Sequence, residues 1–235
     1  MKNYSLIICL ILGVAPYMNA QEKTFSVTAR GSYMVPVGSL NNRFLPGYGG
    51  AVDVAFTRGT PTWSCSIEYA RFSRENRDKL TLTRAVRDSA TRLTDTLTVA
   101  LPRLSMSLEL IGVSANATYD LWLNTWSVAK FGFGFGIYHW KGNRSAYYDT
   151  LRTTARWGTA IVATPQVPEL NQEDWSGGLS GGVDYSMRIF SPVWFTVGAR
   201  YRLIVGELWS TLALDLENVS TFQMLDLRAG ISVDF

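Results

Sequence analysis

At the end of the chain, Phe235, Val233, Ile231, Ala229, Leu227 and Leu225 take every second position, with Asp234, Ser232, Gly230, Arg228 and Asp226 between them. A period of two is the signature of a β-strand, because successive side chains point to opposite faces. Here one face is apolar and the other charged. The beginning of the chain repeats the pattern, with Phe25, Val27, Ala29, Tyr33 and Val35 set against Ser26, Thr28, Arg30 and Ser32. Beyond residue 20 no apolar run approaches the roughly 18 residues that a spanning helix needs, so a bilayer would have to be crossed by strands.

Six further segments alternate in the same way. Tyr48, Val52, Val54 and Phe56 make one outward set, and Trp63, Cys65, Ile67 and Tyr69 the next. A fourth strand sets Leu104, Met106, Leu108 and Leu110 outward against Ser105, Ser107 and Glu109. The fifth carries the run FGFGFG, with Phe131, Phe133, Phe135 and Ile137 outward and Lys130 on the opposite face. Leu179, Val183, Tyr185, Met187 and Ile189 define the sixth, and Phe195, Val197, Tyr201 and Leu203 the seventh. Links near 57–62, 113–124 and 190–192 read as short, and those near 38–47, 73–100, 141–174 and 206–219 as long. Short and long links in alternation predict an all-β, eight-stranded, antiparallel up-and-down transmembrane barrel with short turns at one end and extended loops at the other.

The first twenty residues read differently. Lys2, the apolar stretch Leu6 to Val14 and Pro16 before Ala20 form a cleavable signal peptide pattern, which leaves residues 21–235 as one barrel domain. Ile8 is too bulky, and the apolar segment before Cys9 too short, for a lipoprotein signal. Cys65 is then the one remaining cysteine, so no internal disulfide can form. A formal charge of +3 with no basic stripe argues against nucleic acid.

A soluble lipocalin-like barrel is the competing fold, but it would put apolar residues inside. On the faces assigned above, the lumen holds Arg30, Lys130, Arg188, Arg200, Arg202 and Arg228 opposite Asp53, Glu68, Glu109, Asp184, Asp226 and Asp234. An eight-stranded barrel is just wide enough for side chains to fill it. The balanced charges therefore suggest a plugged, salt-bridged interior, serving either structure or a gated path.

The strands, the loop alternation, the segment PVGSLNNRFLPGYGG with AVDVAF after it, and the terminal Val-Asp-Phe resemble the OmpA/OmpX-like outer-membrane β-barrel superfamily, in its small Bacteroidota form. The resemblance implies a bacterial outer-membrane location, with lipid and lipopolysaccharide around the wall. It makes Phe235 the signal read by the barrel assembly machinery. Members of the superfamily act as anchors, adhesins, lipid-modifying enzymes or parts of secretion systems, so fold alone does not choose a function.

Chemistry is sparse. His139, the single histidine, falls on the outward face beside Tyr138 and Trp140, and no Ser stands two residues after it as in the deacylase pattern. An interfacial anchor is the expectation there. No residue spacing suggests a metal site, and no cofactor is implied. The loop at 73–100 carries Arg74, Arg77, Lys79, Arg84, Arg87 and Arg92, suited to lipopolysaccharide phosphates or simply to a solvated hairpin. The 141–174 loop carries Tyr147, Tyr148, Trp157 and Trp175, suited to gripping a partner or to an interfacial girdle. The leading expectation is a non-enzymatic barrel whose loops bind a surface partner or support an envelope or secretion assembly. A lipid A deacylase-like hydrolase and a small passive pore are the alternatives.

Overall fold

A computed structural model describes residues 24–88 and 92–235. The leader at 1–20 lies outside the described residues. In chain order the strands are β1 (Thr24–Val37), β2 (Gly47–Thr57), β3 (Thr62–Phe72), β4 (Thr81–Arg87), β5 (Thr94–Ala100), β6 (Met106–Asn124) and β7 (Ser127–Arg144), then β8 (Tyr147–Tyr148), β9 (Leu151–Ala155), β10 (Gly158–Ala163), β11 (Gln166–Val167), β12 (Leu170–Phe190), β13 (Val193–Ile204) and β14 (Phe222–Asp234).

Eight of these close a barrel in the order β1-β14-β13-β12-β7-β6-β3-β2, each antiparallel to its neighbours. These are the eight segments that alternate in the sequence. Closure leaves no free strand edge in the wall, which is the condition for placing a sheet in lipid. At the seam the Phe235 backbone N–H donates to the Phe25 carbonyl at 2.7 Å, and the Phe25 and Phe235 rings meet at 6.1 Å on the outside.

Outward side chains from Tyr48 to Phe56, Trp63 to Tyr69, Ile111 to Leu123 and Phe131 to Ile137 form a continuous exposed apolar belt. These runs span 7 to 13 residues, on either side of the roughly 9–11 that a tilted strand needs to cross a bilayer. An apolar belt this large is unsustainable in water, so it faces lipid.

Two expectations need correction here. The link expected at 113–124 is strand: β6 runs on to Asn124, and the turn is only Thr125 and Trp126. Ser114, Asn116, Thr118 and Asp120 resemble a polar link until they are placed facing the lumen, where such residues belong. The faces of β6 are also reversed at its start. Met106, Leu108 and Leu110 are buried inside, while Glu109 points out and pairs with Arg71 at 3.3 Å. Glu109 therefore does not belong to the lumen.

The reversal has a physical cause. The strands rise past the lipid belt at the long-loop end, where water lies outside and the interior must be apolar. Met34, Phe44, Phe72, Leu108, Trp140, Phe222 and Met224 fill that end as one core. Phe44 meets Phe72 at 6.1 Å, and Trp140 meets Phe222 edge-on at 5.3 Å.

All four long loops contribute to this cap. Leu40 comes from the first, Leu80, Leu82, Leu101 and Leu104 from the second, Tyr147, Leu151 and Val167 from the third, and Leu208, Leu214, Leu216 and Val219 from the fourth. The β4–β5 and β9–β10 hairpins share a smaller cluster of Leu97, Ala155, Ala160 and Val162. The 73–100 loop is thus a hairpin of its own, packed on the cap.

Candidate functional site

Two regions carry polar chemistry: the lumen within the lipid belt and the loop cap above it. In the lumen, small residues make room for large charged ones. A Cβ at Gly136 would sit 2.8 Å from the Tyr138 ring, and one at Gly178 2.9 Å from it; one at Gly112 would collide with it. These three glycines on adjacent strands leave the slot in which Tyr138 lies. Gly134 gives way to Asn116 in the same manner. The FGFGFG run therefore has a double use, with Phe toward lipid and Gly toward bulky lumen residues.

Four buried arginines organise this interior. Arg30 pairs with Asp53, which also accepts a hydrogen bond from Ser66. Arg228 reaches Asp184 through two nitrogens, Nε to Oδ1 being 2.7 Å. Arg202 pairs with Glu68 and, through Nη2, with Asp226 at 3.0 Å. Glu68 further accepts from Ser114 Oγ at 2.9 Å and from Tyr138 Oη at 3.1 Å. Arg200 differs from the others. Its Nη1 donates to Asn116 Oδ1 at 2.6 Å, and among the described residues no carboxylate pairs with it.

Asn116 joins these groups into one network. Its amide donates to Ser66 at 3.1 Å and Ser114 at 3.2 Å, linking the Asp53 and Glu68 clusters. Asn116, Ser66, Ser114 and Tyr138 are not among the sequence candidates, because uncharged residues carry no signal until the register is known. Asp120, which lies beside Lys130, is hidden from sequence reasoning for as long as its segment reads as a link.

The remaining candidates sit at the short-turn mouth. Lys130 and Arg188 line it, with the Arg188 guanidinium 4.5 Å above the Trp194 ring. Asp234 accepts from the Trp194 indole at 2.7 Å. Together these walls enclose a cavity of about 290 Å³.

At the cap, polar ties hold the loops. Arg43 donates to the carbonyls of Trp209 at 3.0 Å and Glu217 at 2.6 Å. Burial, with Arg144 nearby, pushes its pKa down to about 10, so it stays charged at neutral pH. Arg144 bonds Thr211 and, at 2.7 Å, the Pro168 carbonyl. Arg84 bridges the 73–100 hairpin to Asp215 at 2.7 Å.

The aromatic set of the 141–174 loop divides. Tyr147 is buried in the cap, Trp157 packs on the smaller cluster, and Tyr148 is exposed. Trp175 faces outward from β12 and packs on His139 at 5.1 Å. His139 is thus on the outer wall, in an aromatic pair near the upper edge of the lipid belt. This placement leaves it outside the polar lumen.

Closed wall, lipid-facing belt and polar interior together define an eight-stranded antiparallel up-and-down transmembrane β-barrel fold. No family model and no curated protein matches the sequence. Among solved structures, the chain is similar to a major outer membrane protein from Thermus thermophilus at 12% identity, covering 92% of this chain and 100% of that one, with a TM-score of 0.50. Neisserial surface protein A matches at 15% identity over 90% of this chain and 97% of its own, with a TM-score of 0.46. The attachment invasion locus protein Ail of Yersinia pestis matches at 12% identity over 91% and 97%, with a TM-score of 0.39. The likeness is one of fold.

Proposed function

We propose that this chain is a non-enzymatic integral protein of the bacterial outer membrane whose barrel carries a rigid external cap that binds a surface partner or supports an envelope assembly. The observation that carries this reading is the cap itself. All four loops enter one apolar core continuous with the barrel interior, so they are held as a single platform. Loops that served only as connections would not need this burial. On the platform, Tyr148, Ile161, Trp209 and Leu212 remain exposed, the composition of a surface that buries aromatics and aliphatics against a partner.

Below the platform, the Arg202 cluster and Tyr138 fill the lumen, which supports a barrel that does not conduct. The short turns lie on the periplasmic side, as in other barrels of even strand number, and lipopolysaccharide surrounds the outer half of the belt. Phe235 closes the seam at the periplasmic end, where the assembly machinery would read it.

Protease shaving of intact outer membranes, with electrophoresis before and after boiling, tests the proposal. The barrel should migrate differently when unboiled, and cuts should fall only within 73–100 and 141–174, slowly because both are packed on the cap. Rapid cleavage in all four loops would refute a rigid platform. Steady single-channel conductance in planar bilayers would refute the filled lumen.

A further inference from the structure

The lumen is neutral as a whole but its charge is segregated. The level of Arg202 holds one cation against two carboxylates, Glu68 and Asp226. Nearer the short-turn mouth, Arg30, Arg200 and Arg228 lie close enough to repel one another, with only Asp53 and Asp184 paired among them. Arg200 is the one of the three with no paired carboxylate among the described residues, and it lines the 290 Å³ cavity, whose walls carry four cationic and four acidic side chains.

Arg200 is only 3% exposed and, among the described residues, makes a single hydrogen bond, to a neutral amide, while its Nε has no partner. A buried guanidinium with no carboxylate in contact is costly, Asp184 and Glu68 acting on it only from further away, and an anion in the cavity would offset that cost. The walls suit one. Lys130, Thr118, Ser186 and Thr196 line it together with Asp184 and Asp234, and the Trp122 and Trp194 rings meet edge-on at 5.9 Å on its rim. The far end is closed by the Arg202 cluster, so a bound solute would go no further.

Two acceptors refine the choice. Asp53 Oδ2 and Asp120 Oδ1 are buried without a donor, and both residues line the same cavity. A carboxylate oxygen facing an anion is tolerable only if that anion brings a proton to share. Sulfate has none at neutral pH and a phosphomonoester, with its second pKa at ~6, carries one only in its minor monoanion, whereas inorganic phosphate always keeps at least one. We infer that the periplasmic vestibule binds a protonated oxyanion of the phosphate class, with Arg200 and Lys130 as cationic contacts and Asp53 or Asp120 accepting its proton.

Calorimetry on the refolded barrel in octyl glucoside, at low ionic strength, tests this with inorganic phosphate, glycerol 3-phosphate and sulfate as probes. Phosphate should bind with at least tenfold preference over sulfate, and R200Q should abolish the heat while keeping the heat-modifiable band. Binding of both phosphates would assign the site to the shared phosphate group; binding of inorganic phosphate alone would assign it to the free ion. Absence of binding by both, or equal binding of sulfate, would overturn the inference. A second measurement avoids altering Arg200. In a C65A background, S64C places a thiol on the cavity wall, and phosphate should slow its reaction with a sulfonate-bearing thiol reagent at least threefold, while equal ionic strength of chloride should not. An unchanged rate would likewise overturn the inference.

Discussion

Substituting Arg202 by Met tests how the lumen network contributes to the fold. Arg202 is 4% exposed and is the ion-pair partner of both Glu68 and Asp226, themselves 4% and 2% exposed. Its removal leaves Glu68 with only the Ser114 and Tyr138 hydroxyls, and takes from Asp226 the guanidinium that donates to its Oδ2. Removing one partner of a buried ion pair costs about 3–5 kcal/mol, because the charges left behind keep their desolvation penalty. With a urea dependence of about 2 kcal/mol per M, the unfolding midpoint should fall by roughly 2 M. The triple variant R202M/E68Q/D226N removes the charges together and should regain more than half of that loss. Urea titration in lipid vesicles, followed by tryptophan fluorescence and by the heat-modifiable band, reads both. A loss below about 1 kcal/mol for R202M, or a triple variant no more stable than R202M, would refute an ionic role and leave simple packing as the account.

Two other outcomes follow from the wall. G136A should push the Tyr138 ring from its slot, costing about 1–3 kcal/mol as overpacked sites do, and the same urea titration reads it. A stability unchanged within error would mean that the ring moves freely. Deletion of Phe235 should slow insertion and lower outer-membrane abundance in cells. Normal abundance would show that the terminal aromatic only covers the β1–β14 seam.

Much of the fold was legible in the sequence because a lipid-facing barrel imposes the same period on every strand. FGFGFG on β7 and the Leu225-to-Phe235 series on β14 fix a face without knowledge of any neighbour. The candidate site was legible in part. Charged residues at polar positions, such as Arg30, Asp53, Asp184, Arg200 and Arg228, could be assigned to the lumen from parity alone. Glu109 could not, since parity holds along β6 while the environment on each side changes where the strand leaves the lipid. Asn116, Ser66 and Ser114 connect charges from different strands, and only the register brings them together.

The amino-acid sequence by itself determined an eight-stranded wall with opposite faces, because side-chain alternation is local and each strand carries it alone. Tertiary structure decided the rest. It set which arginine pairs with which carboxylate, left Arg200 without one among the described residues, and gathered four loops into a cap. Those outcomes depend on distances between residues as far apart as Glu68 and Arg202, and no periodicity within one strand encodes a distance across the barrel.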